Sequence, residues 1–261
     1  MLAHIRELYR FRELLLMVAW RDIKVKYKQS AMGFLWAILM PVIIVSAGIV
    51  VRYAISTISG KPITSSEVII VSIKAVPWAF CVASIRFATN SLVANPNLVT
   101  KIYFPKEIFP LAAVISSGFD FLIAGSLLTV VLIIIHVSST IYLLWVPLLL
   151  LIMIMLVTGL GMVLAALNLF FRDIKYLVEV VLTFAIFFTP VLYDAKMFGR
   201  FSNVLLLNPL APLLEGLSAC VVLHQSPSVQ WVAYSAAISV CMLLIGYSIF
   251  KNLEFRFAES I

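Results

Sequence analysis

The chain has 261 residues, 63% of them hydrophobic and 12% charged, with a mean hydropathy of +1.11. A soluble domain of that size leaves about half its residues facing water, so this much apolar surface points to a bilayer as the solvent. The net charge of +7 does not signal a nucleic-acid partner, because Lys and Arg gather at the ends of apolar runs.

At the N-terminus, the apolar stretch Leu14 to Trp20 is short and lies between charged flanks. It has no small-residue cleavage site and does not read as a signal peptide. Leu2, Ile5, Leu8, Phe11 and Leu15 recur at helical spacing opposite Arg6, Glu7, Arg10 and Glu13. That pattern suits an amphipathic helix lying in the membrane interface, or a helix packed on a soluble partner.

Six apolar runs follow, over 31–52, 67–92, 108–136, 143–170, 176–192 and 229–250. They predict an all-α polytopic membrane protein with six transmembrane helices in a single domain spanning 1–261. Segment 203–224 is apolar too, but Asn208-Pro209, Pro212 and Glu215-Gly216 break it. Broken backbone at membrane depth is tolerated only where protein or water surrounds it, so re-entrant half-helices on the outer side are expected there.

Six spans put both termini on one side. That side holds Arg6, Arg10, Arg12, Arg21, Lys24, Lys26, Lys28, Lys101, Lys106, Arg172, Lys175, Lys251 and Arg256, against Arg52, Lys61, Lys196 and Arg200 opposite. The excess of basic residues places both termini in the cytoplasm.

Lys74 and Asp120 fall inside spans, at similar depth when counted at about 1.5 Å per residue. Intramembrane charges pair or face water, so an ion pair between these two is expected, either locking a hairpin or serving a pathway. Arg86, near the cytoplasmic end, is expected to snorkel to headgroups.

No catalytic or metal-binding constellation is legible. His4, His136 and His224 lie far apart without ligand spacing, and Cys81, Cys220 and Cys241 read as buried, inert thiols. The Gly60-Lys61 pair is followed by Pro62, and Ile55 stands where a Walker A loop needs its first glycine. ATP-driven work therefore needs another polypeptide. Gly159-Leu160-Gly161 permits close helix packing.

Trp36, Trp78, Tyr142, Trp145, Tyr193, Trp231 and Tyr247 lie near the span ends and fit an interfacial belt. A subset can instead line a conduit and offer flat apolar faces to sugar rings. Trp36, Trp78, Phe187 and Tyr193 are the candidates, the last two from "FAIFFTPVLY", where aromatics crowd around Pro190.

The stretch "RDIKVKYKQSAMGFLWAILMP" resembles the opening signature of bacterial polysaccharide-exporting ABC transporter permeases, through Arg21, Asp22, Lys26, Tyr27, Gly33, Trp36 and Pro41. The family's later marks follow in order: Trp78, "NPNLVTKIYFPKEIFPLA", Asp120, "FFRDI", "TPVLY" and "NPL". Met32 replaces the usual Leu, and Lys74 stands near where the family more often has an aromatic.

The resemblance implies the membrane subunit of an O-antigen, capsule or teichoic-acid exporter in the bacterial cytoplasmic membrane. It implies a homodimer bound to two ATP-binding cassette subunits, which hold the ATP and magnesium, and a lipid-linked polysaccharide as substrate. This chain would hold no cofactor. Loop 93–107 would be a coupling helix docking on the ATPase, with Asn97, Leu98, Lys101, Ile102 and Tyr103 at the contact, joined by Arg172 and Asp173.

Arg21, Lys24, Lys26 and Lys28 lie just before the first span, where they would attract a pyrophosphate headgroup at the entrance. Attraction to anionic membrane lipids that sets topology explains the same charges. A simple polar turn explains the charges of 93–107, though not its length. Two rivals stay open: an ABC permease for a small amphipathic drug, and an ion-coupled secondary transporter, for which no internal repeat is visible. A membrane enzyme lacks clustered acids, bases or ligands.

Overall fold

A computed structural model of the chain describes residues 9–28, 33, 35–59, 64–101 and 104–257, and among them every long element is an α-helix. Leu2, Ile5, Leu8, Ile102 and Tyr103 lie outside these residues. In chain order the helices are α1 (Arg12–Lys28), α2 (Leu35–Ser59), α3 (Ser65–Asn90), α4 (Pro96–Lys101) and α5 (Ile108–Ile134). After the 3-10 turn Ile141–Leu144 come α6 (Trp145–Phe170) and α7 (Ile174–Phe188). The 3-10 segment Ala195–Phe201 leads into α8 (Ser202–Leu206), α9 (Leu210–Val221) and α10 (Val229–Glu254).

Among the described residues, five stretches are long and apolar enough to cross a membrane: Leu35–Ala54, Ser66–Asn90, Ile108–Ile134, Ile141–Phe170 and Val229–Glu254. Their exposed faces carry side chains such as Leu122, Val130, Ile133 and Leu151, which a bilayer solvates and water does not. The predicted fifth span, 176–192, forms a helix of only 15 residues, α7, rising about 22 Å at 1.5 Å per residue. Thr189 turns extended before Pro190, whose ring disfavours helix in the residue ahead of it.

The helix ends have local causes. Glu13 stands in the first turn of α1 and Lys26 and Lys28 in its last, each complementing the helix dipole. Pro96 opens α4, where the missing N–H has no intrahelical partner to lose. After α5, His136 takes a positive φ of 59°. His136 N–H donates to the Ile133 carbonyl, and Val137 N–H donates to the Leu132 carbonyl at 3.1 Å, closing a Schellman cap. Asn208-Pro209 separates α8 from α9 as expected, with Asn208 Oδ1 accepting from the Leu210 N–H at 3.1 Å. Pro212 and Glu215-Gly216, however, do not break α9: Pro212 stands in its first turn, where no intrahelical N–H bond is lost. Two helices also carry an internal proline, Pro41 in α2 and Pro77 in α3.

α1 packs on its own chain: Val18, Ala19 and Ile23 are buried, and the helix lies along α5. Phe11, Leu14 and Leu15 lean on the same apolar cluster. This cluster joins Val99, Phe104, Ile108, Leu169, Phe250 and Phe257 at the basic end of the molecule, where α1 begins and α6 and α10 finish. A second cluster runs through α3, α5, α6 and α9, and a third gathers Trp78, Val191, Leu192 and Leu214 toward the far end.

Gly159 and Gly161 explain how α6 sits so close to two neighbours. A Cβ at Gly159 would lie 2.6 Å from the backbone N of Leu243 in α10, and one at Gly161 would lie 2.8 Å from Cβ of Ala88 in α3. Small residues let helix backbones approach to this range.

Candidate functional site

A cavity of about 400 Å³ lies between α2, α3, α5 and α7. Trp36, Met40 and Pro41 of α2 face Trp78, Phe80 and Phe121 across it, while Leu182 and Ile186 of α7 close another side. At one end the lining turns polar, through Lys26, Arg86, Ser117 and Asp120. Two of the four predicted conduit aromatics, Trp36 and Trp78, therefore line it. The other two do not. Phe187 is exposed, and Tyr193 donates its hydroxyl to the Phe187 carbonyl at 2.6 Å beside the ring of Phe198.

A second cavity of about 420 Å³ lies nearer the basic end, lined by Arg21, Asp22, Lys26, Asn90, Ser91, Asn95 and Ser116. Lys26 and Phe87 belong to both linings. The two spaces meet at one charged contact. Lys26 bonds Asp120, the Tyr27 hydroxyl donates to the other oxygen of the same carboxylate, and the Lys26 ammonium sits 4.7 Å over the Phe87 ring. The three partners leave neither Lys26 nor Asp120 as an uncompensated charge beside the apolar space.

Of the predicted entrance cations, Arg21 and Lys26 line these cavities. Lys24 lies 5.6 Å over the exposed Trp20 ring, and Lys28 is exposed. Arg21 is held by Asp22 at 2.7 Å. Arg86 does not reach outward to headgroups. It pairs with Glu179 of α7 at 2.6 Å, tying the cavity wall of α3 to that of α7.

The expected Lys74–Asp120 pair is not formed. Lys74, with 0% of its side chain exposed, donates to Asp194 at 2.9 Å and to Glu215 of α9 at 2.9 Å. The two charges stand at different levels as well as on different faces: Asp120 adjoins Phe121, which meets Phe80, and Lys74 lies about 9 Å from Phe80 along α3. Phe80 faces α5, packing on Phe121 at 5.4 Å. Lys74 lies six residues earlier, roughly 240° around the helix at about 100° per residue, and so faces away from α5.

Arg52 of α2, 3% exposed, completes the far-end cluster, reaching Asp194 at 2.9 Å and Glu67 at 3.6 Å. Glu215 also accepts from the Ala195 N–H at 2.9 Å. Burial alone pushes the Asp194 carboxyl up, but Lys74 and Arg52 outweigh it and hold the group below its ordinary value. Sequence reasoning missed Arg52, Asp194 and Glu215 as partners. The available signal was a carboxylate in each apolar stretch flanking Pro190 and Pro212, with one buried lysine needing a counter-charge.

At the basic end, α4 presents exposed Asn97, while Leu98 packs partly on the core beside buried Val99. Leu98 is thus less available to a partner than expected. Lys101 closes α4, and Ile102 and Tyr103 fall outside the described residues. Arg172 and Asp173 are exposed in the turn between α6 and α7. Asn168 ties that turn down, donating to the Thr89 carbonyl at 3.0 Å and accepting from the Lys175 N–H at 3.1 Å. Val99 and Leu169 share the basic-end cluster, so the two loops border the same core.

Among the described residues no group of His, Cys, Asp and Glu is arranged to hold a metal ion. Cys81 and Cys220 are buried and Cys241 is exposed, so the expectation of three buried thiols holds for two.

A family model described as ABC-2 type transporter matches residues 13–222. The chain belongs to the ABC-2 type transporter family. Within that family it is 29% identical over 264 residues, covering 100% of both chains, to the O-antigen export system permease protein RfbA of Myxococcus xanthus. It is 25% identical over 249 residues to a protein of the same name from Klebsiella pneumoniae, covering 95% of this chain and 94% of that one. As an ABC-2 type transporter, the chain is a multi-pass membrane protein, and both cavities lie within the matched span.

Proposed function

We propose that this chain is the membrane-spanning subunit of an ATP-driven exporter that moves a lipid-linked polysaccharide, of the O-antigen type, across the bacterial cytoplasmic membrane. The observation that carries the reading is the joined pair of cavities. A polar one near the basic end meets an aromatic-walled one at the Lys26–Asp120 contact. A charged headgroup with sugars attached needs that sequence of surfaces: cations and hydrogen-bonding groups first, flat apolar faces next. The relatives named as O-antigen export permeases support the same substrate class.

In this reading the basic end is cytoplasmic, as the distribution of Lys and Arg favours. α7 with the segment that follows it makes the fifth of six crossings, and α8 and α9 form a re-entrant pair on the outer side. Arg21 and Lys26 meet the pyrophosphate, with Lys24 and Lys28 adding to the positive potential around the entrance. A second copy of the chain completes the conduit, bringing Phe187 and Tyr193 to its walls. Two ATP-binding cassette subunits supply ATP and magnesium. They dock on segment 93–107 and on the Arg172–Asp173 turn.

Deleting the gene from its own strain should abolish surface polysaccharide, and the wild-type chain should restore it. A Lys24→Ala, Lys26→Ala, Lys28→Ala variant should insert normally, bind the ATPase subunits and export little. Unchanged surface polysaccharide in the deletion, with altered resistance to amphipathic drugs, would overturn the substrate assignment.

A further inference from the structure

The start of α5 and the end of α10 share a charged cluster that neither cavity uses. Glu107, only 1% exposed, stands immediately before α5. Lys251 of α10 places its Nζ 2.9 Å from Glu107 Oε1 and 2.8 Å from Glu254 Oε2. Glu254 Oε1 in turn accepts from the Lys106 N–H at 3.0 Å. The two segments are far apart in sequence and are bridged from both directions.

The surroundings are apolar. The tilted rings of Phe104 and Phe109 lie 5.5 Å apart, those of Phe250 and Phe257 meet edge-to-face at 5.2 Å, and all four are buried. Apolar side chains of the same volume would hold the segments together as firmly as this buried ion triad. What hydrogen-bonded charges add is a fixed register and direction.

Both bridged segments are mechanically committed. Lys106 and Glu107 stand immediately before α5, on the covalent path from α4 into it, so a displacement of α4 is passed along the chain to them. α10 lies against α6 at the Gly159–Gly246 crossing, where neither glycine leaves room for a Cβ. A push on Glu107 therefore has two routes inward, a covalent one into α5 and an ionic one into α10 and α6.

We propose that Glu107, Lys251 and Glu254 are positioning residues for ATP-coupled transport, transmitting movement of segment 93–107 into α10 and thence α6. This rests on reading 93–107 as the ATPase-docking segment. Without the triad, movement of segment 93–107 would lose its ionic route into α10.

The test uses the complete complex of this chain with its ATP-binding cassette subunits. ATP hydrolysis is read in phosphatidylethanolamine–phosphatidylglycerol vesicles, and export as surface polysaccharide of the complemented deletion strain. The double variant Glu107→Gln with Lys251→Met removes both partners together and leaves no lone buried charge between them. It should assemble and hydrolyse ATP at the wild-type rate, while export falls on the order of five-fold or more, the size of a typical coupling between sites. Lys251→Arg should retain export.

Unchanged export in the double variant, or hydrolysis falling in step with export, would overturn the proposal. If the double variant does not assemble, Glu254→Gln, which keeps the Glu107–Lys251 pair, is read by the same criteria. A wild-type chain that binds no ATPase subunit refutes the docking assignment itself, and the proposal falls with it.

Discussion

The ammonium of Lys74 and the carboxylate of Asp194, 120 residues apart in the chain, lie 2.9 Å from each other with the lysine fully buried. Through this contact α3 holds the segment after α7, and the same nitrogen holds α9 through Glu215. Removing the lysine leaves two carboxylates facing a site with only Arg52 to balance them. Lys74→Met should lower stability by about 3–5 kcal/mol, the usual consequence of breaking a buried pair from one side. Lys196→Met, at an exposed position of the neighbouring segment, should change little. Thermal unfolding in detergent separates the two, and equal melting temperatures would refute the role given to Lys74.

The depressed carboxyl of Asp194 sets a pH dependence of definite sign. A group whose folded pKa lies below its unfolded value stabilises the fold above the unfolded value, about 3.9 for Asp. That contribution disappears as pH falls through the folded value. Melting temperature should therefore be level on this account from neutral pH to about 5 and decline below about 4. In Asp194→Asn the decline in that acid window should be smaller. A variant curve parallel to the wild type would show that Asp194 is not the group responsible.

Two glycines of similar sequence context should respond oppositely to alanine. At Gly159 the added Cβ meets the backbone of Met242 and Leu243, which no side-chain rotation relieves. Gly159→Ala should destabilise by roughly 1–3 kcal/mol as α6 and α10 are forced apart. At Gly125 of α5 nothing lies within 4 Å of the added atom, so Gly125→Ala should stabilise by about 0.5–1 kcal/mol through helix propensity. Both shifts are read as melting temperatures, and shifts of the same sign would contradict the packing described.

Trp36, partly exposed into the aromatic cavity, should matter for passage more than for folding. Trp36→Ala should reduce surface polysaccharide roughly three- to ten-fold, consistent with losing about 0.5–1.5 kcal/mol of ring contact. Expression and ATPase-subunit binding should stay near wild type. Wild-type export in this variant would remove the cavity from the pathway.

What was legible beforehand was whatever depends on composition along the chain. Long apolar runs gave the five membrane-length stretches, Asn208-Pro209 gave the split between α8 and α9, and Gly159 and Gly161 gave the close crossings. What was not legible depends on azimuth and on distant partners. Lys74 pairs with Asp194 and Glu215 and not with Asp120, because both the level and the direction of a residue relative to its neighbours are set by how the helices pack. Asp120 found Lys26 and Tyr27 in α1, a segment whose register on α5 no periodicity discloses. Glu107 and Lys251 meet at 2.9 Å from segments remote in sequence, a pairing that no local pattern discloses.

Pro41 and Pro77 stand in the two helices that face each other across the aromatic cavity, and each lacks the N–H that would have bonded the carbonyl four residues earlier. The carbonyls of Ala37 and Ile73 are released from the helical ladder at those points. Bending α2 or α3 there has one backbone hydrogen bond fewer to strain, in the same helices that carry Trp36 and Trp78. The least braced backbone of α2 and α3 thus lies in the walls of the cavity, while α6 and α10 cross behind it with no room for a Cβ at Gly159 or Gly246.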